Sequence, residues 1–183
     1  MNNFFITSVK SLKQTGTVSP SSKFLIKKIV RAIDFQRNRT ILEFGTGNGC
    51  ITEAILANMS DKAVLHSFEL NDHFFQLSRR KFKHAPNIKV HNENALDFEQ
   101  VIGLHQHETV DCVVSSLPLT LLKNEDIHLL IKRVKKRLKP GGYFIQYQYS
   151  LDKLRYFKKQ FKQVSVSYTL RNIPPAFVYS CSV

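Results

Sequence analysis

Glu43, Gly45, Gly47 and Gly49 stand at alternate positions in ILEFGTGNGC, residues 41–50. An apolar run ends there and a helical pattern begins. The glycines let the backbone turn tightly and let a polar ligand approach the free amides that open a helix. Position 50 is Cys, so the dinucleotide spacing G-x-G-x-x-G is not met. At the end of the next apolar run stands Glu69, where a carboxylate can accept both hydroxyls of a ribose. Asn94-Ala95 follows the third run, and the asparagine carbonyl is a hydrogen-bond acceptor. A fourth run, DCVVSSLPLTLL at residues 111–122, closes on Ser115-Ser116-Leu117-Pro118-Leu119. That turn offers small hydroxyls and backbone carbonyls to a reacting group, and no aromatic ring.

Positioning these residues requires a sheet. Strand patterns fall at Thr40–Phe44, Val64–Leu70, Ile88–His91, Val110–Ser115 and Tyr143–Tyr149, with helical periodicity between them, as in Ile127, Leu130, Ile131, Val134 and Leu138. Such alternation specifies a parallel sheet covered on both sides. After Tyr149 the pattern changes to a helix with Leu151, Leu154, Phe157 and Phe161 inward. Two alternating runs follow, Val164 to Leu170 and Phe177 to Val183, separated by Asn172-Ile173-Pro174-Pro175, and they predict an antiparallel pair at the sheet's end. The expected fold is α/β, a Rossmann-like sheet of seven strands, mostly parallel with an antiparallel last strand. Pro20-Ser21-Ser22 reads as the start of a helix, because serine caps free amides and proline tolerates the first turn. Residues 1–13, with Phe5, Val9 and Leu12 beside Lys10 and Lys13, read as an amphipathic appendage on this one domain.

Composition narrows the partners. Twenty-seven Lys plus Arg against fourteen Asp plus Glu give a net charge of +13, a field that draws the chain to polyanions: nucleic acid or an anionic lipid surface. No apolar run is long enough to span a bilayer, and residues 1–10 lack the pattern of a secretory signal, so a cytoplasmic location is expected. Cys50, Cys112 and Cys181 lack paired spacing and read as reduced thiols. His105 and His107 share a polar loop without a second pair of ligands, and no metal is expected.

The E-x-G-x-G-x-G spacing from Glu43 resembles the first motif of class I S-adenosylmethionine-dependent methyltransferases. The resemblance implies S-adenosylmethionine as cofactor, held by Glu43, Gly45, Thr46, Gly47, Asn48 and Gly49, by Glu69 and Leu70, by Asn94 and Ala95, and by Ser115. Many such enzymes carry aspartate where Asn94 stands. The fourth-strand turn departs from the adenine-methylating members, including rRNA adenine dimethylases, which carry Asn or Asp, a variable residue, Pro and an aromatic. Here Ser116 takes the place of the Asn and Leu119 that of the stacking aromatic.

The whole pattern resembles bacterial phospholipid N-methyltransferases that methylate phosphatidylethanolamine. It is carried by TGTVSPSSKFL (15–25), which adds Gly16 and Ser21 to the expected cofactor contacts, and by ILEFGTGNG, FEL (68–70) and DCVVSSLPL. LKPGGYFIQYQYS (138–150) and NIPPAFVY (172–179) complete it. The resemblance implies one to three methyl transfers to an ethanolamine amine at a membrane's inner face, with the basic appendage on anionic lipid. Ser116 and the carbonyl of Leu117, before Pro118, would hold the amine, and Tyr147, Tyr149 or Tyr179 would position it or take its proton. An rRNA or tRNA adenine methyltransferase, whose dimethylase form carries a further helical domain, and a scaffold that binds cofactor without chemistry are the alternatives.

Overall fold

The computed structural model describes residues 21–183. The appendage expected at residues 1–13, and Gly16, lie outside them. Helix α1 (Lys23–Arg31) begins where Pro20-Ser21-Ser22 places it, with the Ser22 hydroxyl accepting from the Leu25 amide at 3.3 Å. Then come β1 (Thr40–Phe44), α2 (Cys50–Leu56), β2 (Val64–Phe68), α3 (Asp72–Lys81) and β3 (Ile88–His91). A 3-10 turn (Ala95–Asp97), α4 (Phe98–Val101), β4 (Val110–Ser115), a second 3-10 turn (Leu119–Leu121) and α5 (Asn124–Arg137) continue the alternation. The chain finishes with β5 (Leu138–Gln148), α6 (Leu154–Gln160), β6 (Gln163–Thr169) and β7 (Ala176–Ser182).

The seven strands form one sheet in the order β3-β2-β1-β4-β5-β7-β6. β1 to β5 pair in parallel, and β7 runs antiparallel to both of its neighbours. The expected sheet is therefore present, with the final pair arranged so that the last strand inserts beside β5 and β6 takes the edge. Sequence alternation gives strand faces but not the order of strands, which is settled by what each face buries.

Each face of the sheet has its own core. On one side Leu25 and Ile29 from α1, Ile33 just after it, and Ile51 and Ile55 from α2 cover Ile41, Leu65, Cys112, Val114 and Ile145. On the other, Ile127, Leu130, Ile131 and Val134 from α5, with Phe157 from α6 and Phe161 at its C-cap, cover Leu42, Phe44, Val113, Phe144 and Tyr179. Leu151 departs from expectation: it lies ahead of α6 in an exposed loop, because Leu154, Phe157 and Phe161 already fill the groove over Phe144. β2 ends one residue before Glu69, so that carboxylate stands at the carboxyl edge of the sheet. No described helix is long and apolar enough to cross a bilayer.

Candidate active site

Beyond the carboxyl ends of β1, β2, β4 and β5 lies a cavity of about 570 Å3. Its first wall is the glycine turn. Gly45 has φ +87°, and a Cβ there would collide with the Ser116 hydroxyl. Gly47 has φ +56°, and a Cβ added to it meets nothing within 4 Å, so its surface is bare toward the cavity. The Gly47 amide donates to Glu69 Oε2 at 2.8 Å and the Asn71 amide donates to Oε1 at 2.8 Å. Two backbone amides thus fix the carboxylate on the cavity wall.

Glu43 supports this turn from beneath. It is buried, and its Oε2 accepts from the Thr52 hydroxyl at 2.8 Å and the Ser67 hydroxyl at 2.6 Å. Burial pushes its pKa up to about 7, against the pull of those two hydroxyls and with the help of the Glu69 charge. A carboxyl whose folded pKa lies above its ordinary 4.5 contributes stability that is complete below that value and lost as pH rises through about 7. Glu43→Gln removes the titration. The stability of the native protein relative to this variant is expected to fall between roughly pH 5 and 8. The depressed His66, at about 4, is common to both proteins and cancels in the difference. Denaturant unfolding of both at several pH values measures it, and a pH-independent difference would refute the assignment.

The second wall is the turn after β4. The Ser116 hydroxyl donates to the Gly45 carbonyl at 2.6 Å and lies 3.1 Å from that of Phe44, tying this turn to the glycine turn. The Leu117 carbonyl accepts from Gln146 Nε2 at 3.1 Å and from Gln148 Nε2 at 3.0 Å. Both glutamines are buried on one side of β5, and the two amides occupy both lone pairs of that carbonyl. Leu119 turns away from the cavity into the core and is 0% exposed, so its position presents no face to a ligand. Tyr147 and Tyr149 line the cavity with ring centroids 5.9 Å apart at 71°. Burial lifts the Tyr147 phenol well above its ordinary range, with the Tyr149 phenol adding to the lift, which disfavours it as a proton acceptor. Asp152, whose Oδ2 accepts from the Ser150 hydroxyl at 2.8 Å, is the carboxylate at this end.

Comparison with known proteins agrees with this geometry. A family model described as ribosomal RNA adenine dimethylase matches residues 19–122, more than half of the chain. The chain belongs to that family. It is an S-adenosylmethionine-dependent methyltransferase. An ornithine lipid N-methyltransferase of Singulisphaera acidiphila is 30% identical over 191 residues, covering 99% of this chain and 96% of the relative. The ribosomal RNA small subunit methyltransferase A of Caldanaerobacter subterraneus is 35% identical over 112 residues, 60% of this chain; the match spans 41% of that relative. Among solved structures, the O-methyltransferase TomG of Streptomyces achromogenes, in complex with SAM, shares the fold at a TM-score of 0.75 with 14% identity, over 100% of this chain and 91% of its own.

The residues of this methyltransferase fit the cofactor: a bare glycine surface, a carboxylate held at the wall and apolar Leu70, Phe68 and Phe74 where a base needs cover. S-adenosylmethionine, when bound, supplies a methyl group on a positively charged sulfur. Of the residues expected from sequence, Ser21, Gly45, Thr46, Gly47, Asn48, Glu69, Leu70, Ala95, Ser116, Leu117, Pro118, Tyr147 and Tyr149 share the cavity wall. Five do not. Glu43 lies beneath the turn, and Gly49 is the N-cap of α2. Ser115 is buried, its hydroxyl accepting from the Leu117 amide at 3.3 Å. Asn94 spends its carbonyl on the Leu96 amide at 2.9 Å, capping the 3-10 turn, and Glu93 takes its place on the wall. Tyr179 is buried on Phe157, and its hydroxyl donates to the Ser150 carbonyl at 2.8 Å. Burial, with the Asp152 charge, pushes that phenol up to about 12.

Sequence reasoning missed Gln146, Gln148 and Asp152. Gln146 and Gln148 alternate along a strand expected to be apolar, and a polar residue on a buried strand face was the available signal. Asp152 carries none, since one acid after a strand is ordinary.

Proposed function

We propose that this methyltransferase transfers methyl groups to the primary amine of a membrane lipid headgroup, with the ethanolamine amine of a phospholipid as the first acceptor to test. The observation that carries the reading is the acceptor wall: Leu119 is turned into the core and leaves a hydroxyl, a proline and a leucine where a flat base would need a ring to stack on. The full-length kinship with an ornithine lipid N-methyltransferase supports it, since that headgroup also ends in an aliphatic amine. The enzyme would work at the inner face of the cytoplasmic membrane.

The chain's own groups act by placement. Ser116 ties the fourth-strand turn to the glycine turn and the two glutamines hold it to β5, so an amine seated on Pro118 faces the cofactor end at a fixed distance. An ammonium ion must lose its proton before it can attack. Tyr147 and Tyr179 are disfavoured as bases because burial raises both phenols; Tyr149 on the wall would position the amine, Asp152 would attract the cation at the mouth, and water would carry the proton away. Asp152→Asn is expected to raise KM for the amine roughly three- to tenfold with little change in kcat. Steady-state kinetics with varied amine decide it, and an unchanged KM would remove Asp152 from substrate binding.

The family model and the charge of +13 favour a second reading, methylation of adenine in rRNA. Labelled S-adenosylmethionine offered with phosphatidylethanolamine vesicles, with ornithine lipid, with rRNA, and with none of them separates the two. Label in either lipid supports the first reading and reports the headgroup; label in RNA alone overturns it. Cofactor binding without transfer to any of them supports a scaffold.

A further inference from the structure

Leu170 is 72% exposed and Ile173 is 87% exposed, two bare aliphatic side chains on the turn between β6 and β7. The register locates that turn. Gln148, the last residue of β5, pairs with Phe177, and Thr169 pairs with Ala176. Residues 170–175 therefore stand at the carboxyl edge of the parallel strands, the edge onto which the cavity opens. The turn is built to hold its shape: Asn172 is buried, its Oδ1 accepting from the Ser22 amide at 3.0 Å and its Nδ2 donating to the Pro174 carbonyl at 2.7 Å. A rigid turn with its apolar side chains pointed outward gains nothing from water. The cavity mouth continues the pattern, with Leu121 and Tyr149 exposed on its rim and Leu151 exposed just after Tyr149 in sequence.

The charged side chains seen beside the β6–β7 turn are cations. Arg171 lies 4.9 Å from the centre of the Phe24 ring, and Lys23 Nζ stands 5.5 Å from the same centre. Residues 21–33 contain no Asp or Glu, and none occurs after Asp152. Aliphatic tips flanked by cations match a headgroup layer, where the tips enter the acyl boundary and the cations meet phosphate. A nucleic acid would use the cations but leave Leu170 and Ile173 in water.

We propose that the β6–β7 turn, with Leu170 and Ile173 as inserting tips and Arg171 and Lys23 as the flanking cations, is the surface by which the protein docks on an anionic phospholipid bilayer with its cavity mouth facing the membrane. The inference rests on the lipid reading above and adds the surface and the orientation. A lipid amine then reaches Pro118 by sliding its headgroup inward, without leaving the bilayer.

The test uses the full chain and vesicles of phosphatidylethanolamine with and without phosphatidylglycerol. Cosedimentation of the double variant Leu170→Asp/Ile173→Asp with the mixed vesicles is expected to fall about tenfold or more, and that of Arg171→Gln by several-fold. Leu129→Asp, an equally apolar exposed site on α5, is expected to bind as the native protein does. Cofactor affinity by calorimetry, unchanged in all variants, certifies the fold. Methylation of phosphatidylethanolamine dispersed in detergent micelles separates the two claims. If the native protein labels micellar lipid and the double variant binds vesicles undiminished, the docking surface is wrong and the lipid reading stands. If the native protein leaves micellar lipid unlabelled, the lipid reading falls and the docking surface with it. A double variant that loses RNA binding while keeping vesicle binding also overturns the surface.

Discussion

Gly45→Ala should lose cofactor binding and methyl transfer together, with kcat/KM and cofactor affinity each down by about 100-fold or more. Two costs combine at this position. A side chain at φ +87° pays the left-handed backbone penalty of about 1–2 kcal/mol. The new Cβ also collides with the Ser116 hydroxyl, which holds the Gly45 carbonyl at 2.6 Å and cannot yield without parting the glycine turn from the fourth-strand turn. Gly141→Ala separates the two costs: Gly141 has φ +77°, and its added Cβ meets nothing within 4 Å. That variant should lose stability by the backbone penalty alone and keep its cofactor affinity. Calorimetric titration with S-adenosylmethionine and thermal unfolding of both variants decide the matter. Tight binding by Gly45→Ala would show that the contact between the two turns is dispensable.

Replacing the clamp on Leu117 is the second large effect. In the double variant Gln146→Leu/Gln148→Leu the Leu117 carbonyl loses both donors, and leaving a buried acceptor unpaired costs about 1–3 kcal/mol. The turn that carries Pro118 escapes that cost by shifting, and a displacement of a fraction of an ångström at the acceptor wall is enough to spoil in-line attack. The expected result is a fall in kcat of roughly 10- to 100-fold with cofactor affinity intact, because no glycine-turn contact involves these glutamines. Gln148→Leu alone should fall between the double variant and the native protein, since one amide still holds the carbonyl. Single-turnover rates at saturating cofactor read the step directly. Full activity in the double variant would mean that the clamp only supports folding.

The glycine turn, Glu69, the Ser22 cap and the alternation of strands and helices were legible in the sequence. Each is local: a φ above zero requires glycine, a serine ahead of a helical run caps it, and strand period is written in neighbouring residues. These features, with the resemblance they carry, lead to the fold and the cofactor. Asn94 shows the limit of local reading, because a carbonyl placed to meet a base can equally cap the turn that follows it, as it does on the Leu96 amide.

The remainder belonged to tertiary structure. Gln146 and Gln148 reach a carbonyl 29 and 31 residues away, and sequence carries no mark of such a pair. Tyr179 looked available on an alternating strand, but the insertion of β7 beside β5 turned it onto Phe157 and into the core. The same packing buried Leu119 and exposed Ile173, two aliphatic residues that hydrophobicity alone cannot tell apart. Sequence determined which backbone shapes were possible, since sterics and hydrogen bonding act between near neighbours. Only the folded sheet decided which side chains face the cavity, because burial depends on what distant segments bring to the other side.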